Sequence, residues 1–159
     1  MIKVTVIALG KLKEKYLRDA VEEYTKRLSR YCKLEIFEIE PERLSEKPSG
    51  SEISAALSCE KEKILKKIPQ NSTVVSLCIE GKEKSSEEFA AVVEEQVDAG
   101  KNLTLIIGSS YGLSDEVKKA SDIRLSLSKM TFPHQLFRVM LLEQLYRAFK
   151  INEGSQYHK

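Results

Sequence analysis

The chain has 159 residues, 42% of them hydrophobic and 31% charged, with a formal net charge of +2. That balance suits a soluble globular protein built as one domain, residues 1–159, around one core. No apolar run approaches the roughly 20 residues of a membrane span, and the small charge argues against RNA held mainly by neutralised phosphates, unless through a local patch, a dimer or a substrate selected by shape.

The opening residues enter a strand pattern directly, with no basic and apolar leader. Cys32, Cys59 and Cys78 contain no C-x-x-C pair. They argue against a disulfide framework or a metal site and fit a reducing cytoplasm. In chain order, residues 2–9 read as a strand ending at Gly10. Residues 13–30 place Leu17, Val21, Tyr24 and Leu28 at helical spacing opposite a charged face. Residues 34–39 form a second strand closed by Pro41, then a polar loop carries Pro48, and residues 52–68 make a weaker helix ended by Pro69.

Residues 72–79 read as a buried, valine-rich strand, with Glu80-Gly81-Lys82 expected to turn the chain. Ser85 and Glu88 are a capping-box signature for a helix through Ala99, with Gly100 at its stop. Residues 103–107 are the most continuous apolar strand, expected at the centre of a parallel sheet. Ser114 caps a short helix, residues 115–120, and residues 123–127 are the last strand. A long helix follows, capped by Thr131 or Phe132 with Pro133 in its first turn. The alternation predicts an α/β fold, a mostly parallel sheet with helices on both faces. Ligands of such sheets sit at the carboxyl ends of strands, so the loops after Ile79, Ile107 and Leu127 are the places for a site.

Four segments there offer chemistry. Gly108-Ser109-Ser110-Tyr111-Gly112 permits close backbone approach to a ligand, or is an ordinary strand-to-helix turn. It matches neither the dinucleotide fingerprint nor the phosphate-binding P-loop. The run 125–134 supplies small polar groups and a lysine for a nucleoside pocket, or is a solvated loop. The helix 133–151 is apolar around most of its circumference, which predicts cover by its own sheet and by a second subunit. The ending Tyr157-His158-Lys159 combines stacking, proton transfer and phosphate contact, although composition alone favours a frayed tail.

The run from Ser128 to Gln135, then Arg138, Glu143-Gln144, Tyr146-Arg147-Ala148 and Tyr157-His158-Lys159, resembles the ribosomal RNA large-subunit methyltransferase H (RlmH) family of SPOUT enzymes. Leu9-Gly10-Lys11-Leu12-Lys13 resembles the same family, so the similarity spans essentially the whole chain. The resemblance implies a C-terminal trefoil knot, S-adenosylmethionine as methyl donor, a homodimer, and methylation of N3 of a pseudouridine in 23S rRNA on assembled ribosomes. It carries the cofactor contacts onto Leu77, Gly108, Leu127, Ser128, Lys129, Met130, Thr131 and Phe132. The family usually has two adjacent glycines after the central strand. Ser109 stands at the second here, which requires an unstrained backbone at that serine.

Removing the weakly acidic N3 proton needs a base, or cations that stabilise the anion. His158 is the candidate base, Arg138 or Arg147 the charge stabiliser and Tyr157 the orienting group, supplied across a dimer. Lys11, Lys13, Lys15, Arg18, Lys129 and Lys159 form either an RNA-facing stripe or a solvated face. Two rivals remain. Five βα units also fit a flavodoxin-like receiver or flavin module, but a receiver would want an acidic cluster where Ala8-Leu9-Gly10-Lys11 stands, and a non-catalytic ribosome-binding factor, which would share the fold, is the stronger rival.

Overall fold

A computed structural model describes residues 1–158. Lys159, one of the predicted RNA-facing lysines, lies outside the described residues. The elements run β1 (Ile2–Leu9), α1 (Lys15–Leu28), β2 (Cys32–Ile39), α2 (Gly50–Leu65), β3 (Ser72–Glu83), α3 (Ser86–Asp98), β4 (Asn102–Ile107), α4 (Asp115–Ala120), β5 (Ile123–Ser126) and α5 (His134–Asn152). All four strand pairings are parallel, in the order β2-β1-β4-β3-β5. The continuous apolar run of β4 therefore occupies the middle of the sheet, as the pattern predicts.

Alternation along the strands divides the core in two. Val4, Val6, Ala8, Leu103, Leu105 and Ile107 face Leu28 of α1, Phe89 and Val93 of α3, and Leu141, Leu145 and Phe149 of α5. Ile7, Leu9, Val74 and Ile106 face Ile64 of α2 and Val117 of α4. Helices thus cover both faces. Cys32 lies in the first core, where burial pushes its thiol up to about 12, while Cys59 is exposed. The capping box of α3 forms at Ser85 and Glu88.

Three boundaries differ from expectation. Glu80-Gly81-Lys82 does not turn the chain, because β3 runs on to Glu83. Leu125 of β5 pairs first with Leu77 and again with Lys82, so the intervening residues bulge out of the ladder. Gly81 permits the return: a Cβ there would lie 2.7 Å from the Leu125 carbonyl carbon. The long helix is capped by neither Thr131 nor Phe132. Pro133 itself takes the cap position, with an extended ψ of 130° and its carbonyl accepting from the Phe137 N–H at 2.9 Å. Finally, α2 begins earlier than read, because the Ser49 hydroxyl accepts from the Glu52 N–H at 3.2 Å.

Candidate functional site

Three strand-end segments meet at the carboxyl edge of the sheet around a cavity of about 460 Å³. Residues 77–80 come from the end of β3 and its bulge, residues 107–112 follow β4, and residues 126–128 and 130–133 follow β5. His134 and Phe137 of α5 complete the wall. Seven of the eight predicted cofactor residues therefore share one cavity: Leu77, Gly108, Leu127, Ser128, Met130, Thr131 and Phe132. Lys129 is exposed and is not part of the lining.

Each wall has a local cause. The turn after β4 folds back on itself, with a Ser109–Gly112 bridge and the Gly112 N–H donating to the Ser109 carbonyl at 2.8 Å. That fold brings the Gly112 carbonyl against Gly108, where a Cβ would sit 2.4 Å from the oxygen. Gly112 takes the left-handed φ of 83° that the turn needs. Ser109 has no positive φ, so serine fits this position without strain. After β5, the buried Ser126 hydroxyl donates to the Ser128 carbonyl at 3.0 Å, and the Ser128 hydroxyl accepts from the Met130 N–H at 3.0 Å. At the rim, Lys118 pairs with Glu80 and holds that carboxyl below its usual range.

The sequence pattern pointed to the loop after Ile79 and to the run ending at His134, but it did not single out Cys78, Lys118 or Phe137 as lining groups. Gly81 within a strand was the available signal, since an interior glycine marks a bulge or a close approach. His134 is held below the usual histidine range by burial, with Arg138 and Lys13 adding like charge. The folded state therefore favours the neutral ring. Its contribution to stability is complete above the unfolded value near about 6.5 and is lost as pH falls through the lower folded value. An NMR titration should place the His134 midpoint below that of a free histidine, and Lys13→Gln should move it upward.

The four predicted catalytic side chains separate into two groups. Arg147, Tyr157 and His158 gather around Glu143. Arg147 donates to Glu143 at 2.6 Å, the Tyr157 hydroxyl donates to Glu143 at 3.0 Å, and His158 Nδ1 lies 3.2 Å from Arg147. His158 Nε2 lies 2.8 Å from Glu87. The Tyr157 ring meets Tyr146 edge-on at 5.1 Å, under the Arg147 guanidinium at 4.9 Å. Burial and the Glu143 bond push the Tyr157 phenol up. Residues 157–158 are therefore docked on α5 and α3 rather than frayed. Arg138 stands apart. It is 2% exposed and donates to Glu38 at 2.6 Å and to the Gly10 carbonyl at 2.9 Å. Ten residues separate Phe137 of the cavity from Arg147, about 15 Å along a helix. Within one chain the tail cluster and the cavity are distinct.

Against known proteins, residues 2–158 match the family model described as "Predicted SPOUT methyltransferase". The chain belongs to the SPOUT methyltransferase family. Among its SPOUT relatives, the ribosomal RNA large subunit methyltransferase H of Clostridium acetobutylicum is 53% identical, over 99% of this chain and 100% of that protein. Proteins of that name from Clostridium kluyveri and Clostridium perfringens are 52% and 51% identical over the same shares. The fold also matches a crystal structure of a methylase family protein from Neisseria gonorrhoeae, with a TM-score of 0.52 at 9% identity, covering 91% of this chain and 82% of that one. Among the described residues of this SPOUT chain, no helix is long and apolar enough to cross a membrane, and no group of three or more His, Cys, Asp or Glu is placed to hold a metal ion.

Proposed function

We propose that this chain is a cytoplasmic rRNA methyltransferase that moves a methyl group from S-adenosylmethionine to N3 of a pseudouridine in 23S rRNA of the assembled ribosome. The observation that carries this reading is the convergence of the three strand-end loops on one cavity in a chain about half identical to methyltransferases named for large-subunit rRNA. The residues present fit the cofactor. The volume lies in the range of small-molecule sites, the walls from Leu77, Ile107, Leu127, Phe132 and Phe137 are apolar, and polar groups come from the backbone, from serine and threonine hydroxyls, from His134 and from the Glu80–Lys118 pair at the rim. S-adenosylmethionine supplies an electrophilic methyl on a sulfonium.

The chain's own residues position the nucleotide and handle its proton. As N3 forms its bond to the methyl carbon, the sulfur–carbon bond breaks and the N3 proton passes to a base. His158 takes that proton on Nδ1, which gives up its contact with Arg147 to do so, Arg147 stabilises the negative charge on the ring and Tyr157 orients the pair. Arg138, buried against Glu38 and Gly10, acts as a positioning residue in this scheme. The separation of tail and cavity within one chain supports a homodimer in which the tail of one subunit serves the cofactor of the other. Exposed Ile79, Met130 and Phe132 at the cavity, with exposed Leu136 on the first turn of α5, support the same assembly, since these apolar side chains lack cover. The trefoil knot belongs to this proposal too. From edge strand β5 the chain returns to α5, whose first turns reach the ends of β1 and β2 across the sheet.

The deciding experiment incubates ribosomes lacking the modification with labelled cofactor and maps the methylated nucleotide. Label at N3 of a 23S pseudouridine supports the proposal, and no label removes it. Leu136→Asp should halve the mass seen by light scattering and abolish transfer. A wild-type monomer with full activity would overturn the dimer.

A further inference from the structure

We infer that residues 10–13, between β1 and α1, form a pre-shaped phosphate-binding loop that seats the backbone of the substrate rRNA beside the cofactor cavity, through Lys11 and Lys13. This rests on the reading of rRNA as the substrate.

The loop is tied down from several sides. The Gly10 N–H donates to the Ile39 carbonyl at 2.7 Å, and the Gly10 carbonyl accepts from buried Arg138 at 2.9 Å. Arg18 Nη1 donates to the carbonyls of Leu12 at 3.2 Å and Lys13 at 2.7 Å. The Lys13 N–H donates to the Gln135 side chain of α5 at 3.2 Å. Backbone groups that an open loop would leave to water are thus satisfied by side chains of α1 and α5. A loop held this way loses little further freedom on binding.

What it presents is unpaired positive charge. Lys11 and Lys13 are exposed, and neither has an ion-pair partner among the described residues. Two of the three nearby carboxylates are engaged, Asp19 with Lys15 at 2.7 Å and Glu38 with Arg138 at 2.6 Å, and the third, Glu14, is exposed and pairs with neither lysine. Across residues 10–19 with Glu38 and Arg138, five cations meet three carboxylates. That local excess equals the net charge of +2 of the whole chain. The modest overall charge is thus concentrated in a patch, the arrangement an RNA-binding protein of low net charge requires.

The loop is also in the right place. It leaves the carboxyl end of β1, on the same edge of the sheet as the cavity. A Cβ on Gly10 would lie 3.8 Å from Nε2 of His134, which lines the cavity. A strand whose phosphates rest on Lys11 and Lys13 therefore passes the mouth where a nucleotide is to be methylated.

The test is co-sedimentation of the full chain with ribosomes across a potassium chloride series, for wild type, K11E/K13E, K11R/K13R and K66E/K101E. Lys66 and Lys101 precede β3 and β4 at the opposite edge of the sheet, so the last variant makes the same charge change away from the loop. K11E/K13E should lose at least about tenfold in affinity near 0.1 M salt, and its log–log salt slope should flatten by about two, one for each phosphate left without its lysine. K11R/K13R should bind as wild type, and K66E/K101E within about twofold of it. Cofactor binding by calorimetry should match wild type in all three variants, which also reports folding. K11Q/K13Q serves if charge reversal impairs folding. Sedimentation of K11E/K13E equal to that of K66E/K101E overturns the inference. The methyltransferase reading fails separately, by absence of label on ribosomes that the wild-type chain binds.

Discussion

Deleting residues 157–159 is expected to reduce methyl transfer by about 100-fold or more while leaving cofactor affinity within about twofold, the scale on which a general base contributes. Tyr157 and His158 touch Glu143, Arg147, Tyr146 and Glu87, none of which lines the cofactor cavity. The cavity should therefore survive their loss. Arg147 keeps its bond to Glu143 at 2.6 Å, so the deletion leaves no unpaired buried charge. His158→Gln should lose transfer nearly as fully as the deletion if the ring moves a proton. Tyr157→Phe should lose much less, since it keeps the edge-on contact with Tyr146 and forfeits only the bond to Glu143. Calorimetry with S-adenosylmethionine and single-turnover transfer to ribosomes read the two effects apart. Full activity in the truncated chain would remove the tail from the mechanism.

Much of the scaffold was legible because its signals are local. The apolar run of β4 announced a central strand, and Ser85 with Glu88 announced a helix start that the structure closes as a capping box. The cavity followed from one topological rule applied to three loops, and it gathers most of the residues that the family resemblance pointed to. What remained hidden depends on distant partners. Glu80-Gly81-Lys82 has the composition of a turn, and only the approach of Leu125 shows why the glycine stands in a bulged strand. The resemblance makes Arg138 a candidate charge stabiliser, but its burial does not show in the helix pattern, since its partner Glu38 lies a hundred positions upstream. The tail has a composition that favours fraying, but the aromatic surface of Tyr146 and the Glu143–Arg147 pair give it a seat. No spacing within the last residues encodes that surface.

Gly108→Ala tests whether the cavity wall depends on the turn that folds over it. The added methyl would lie 2.4 Å from the Gly112 carbonyl oxygen and 2.6 Å from its carbon. Both are backbone atoms, so relief requires displacing the Ser109–Gly112 bridge rather than rotating a side chain. Overpacking of this kind costs about 1–3 kcal/mol. In a chain of this size that lowers Tm by roughly 2–4 °C per kcal/mol. Because residues 108–112 line the cavity, cofactor affinity should fall by about tenfold or more with it, the equivalent of roughly 1.4 kcal/mol. Gly100→Ala is the matched comparison. Its φ of 64° makes alanine strained, by about 1–2 kcal/mol, but no atom lies within 4 Å of the added methyl and the position is far from the cavity lining. That variant should lose a similar amount of stability with cofactor affinity intact. If both variants lose affinity equally, the effect is global destabilisation. If only Gly108→Ala does, the close approach of Gly112 to Gly108 is what shapes the cofactor wall.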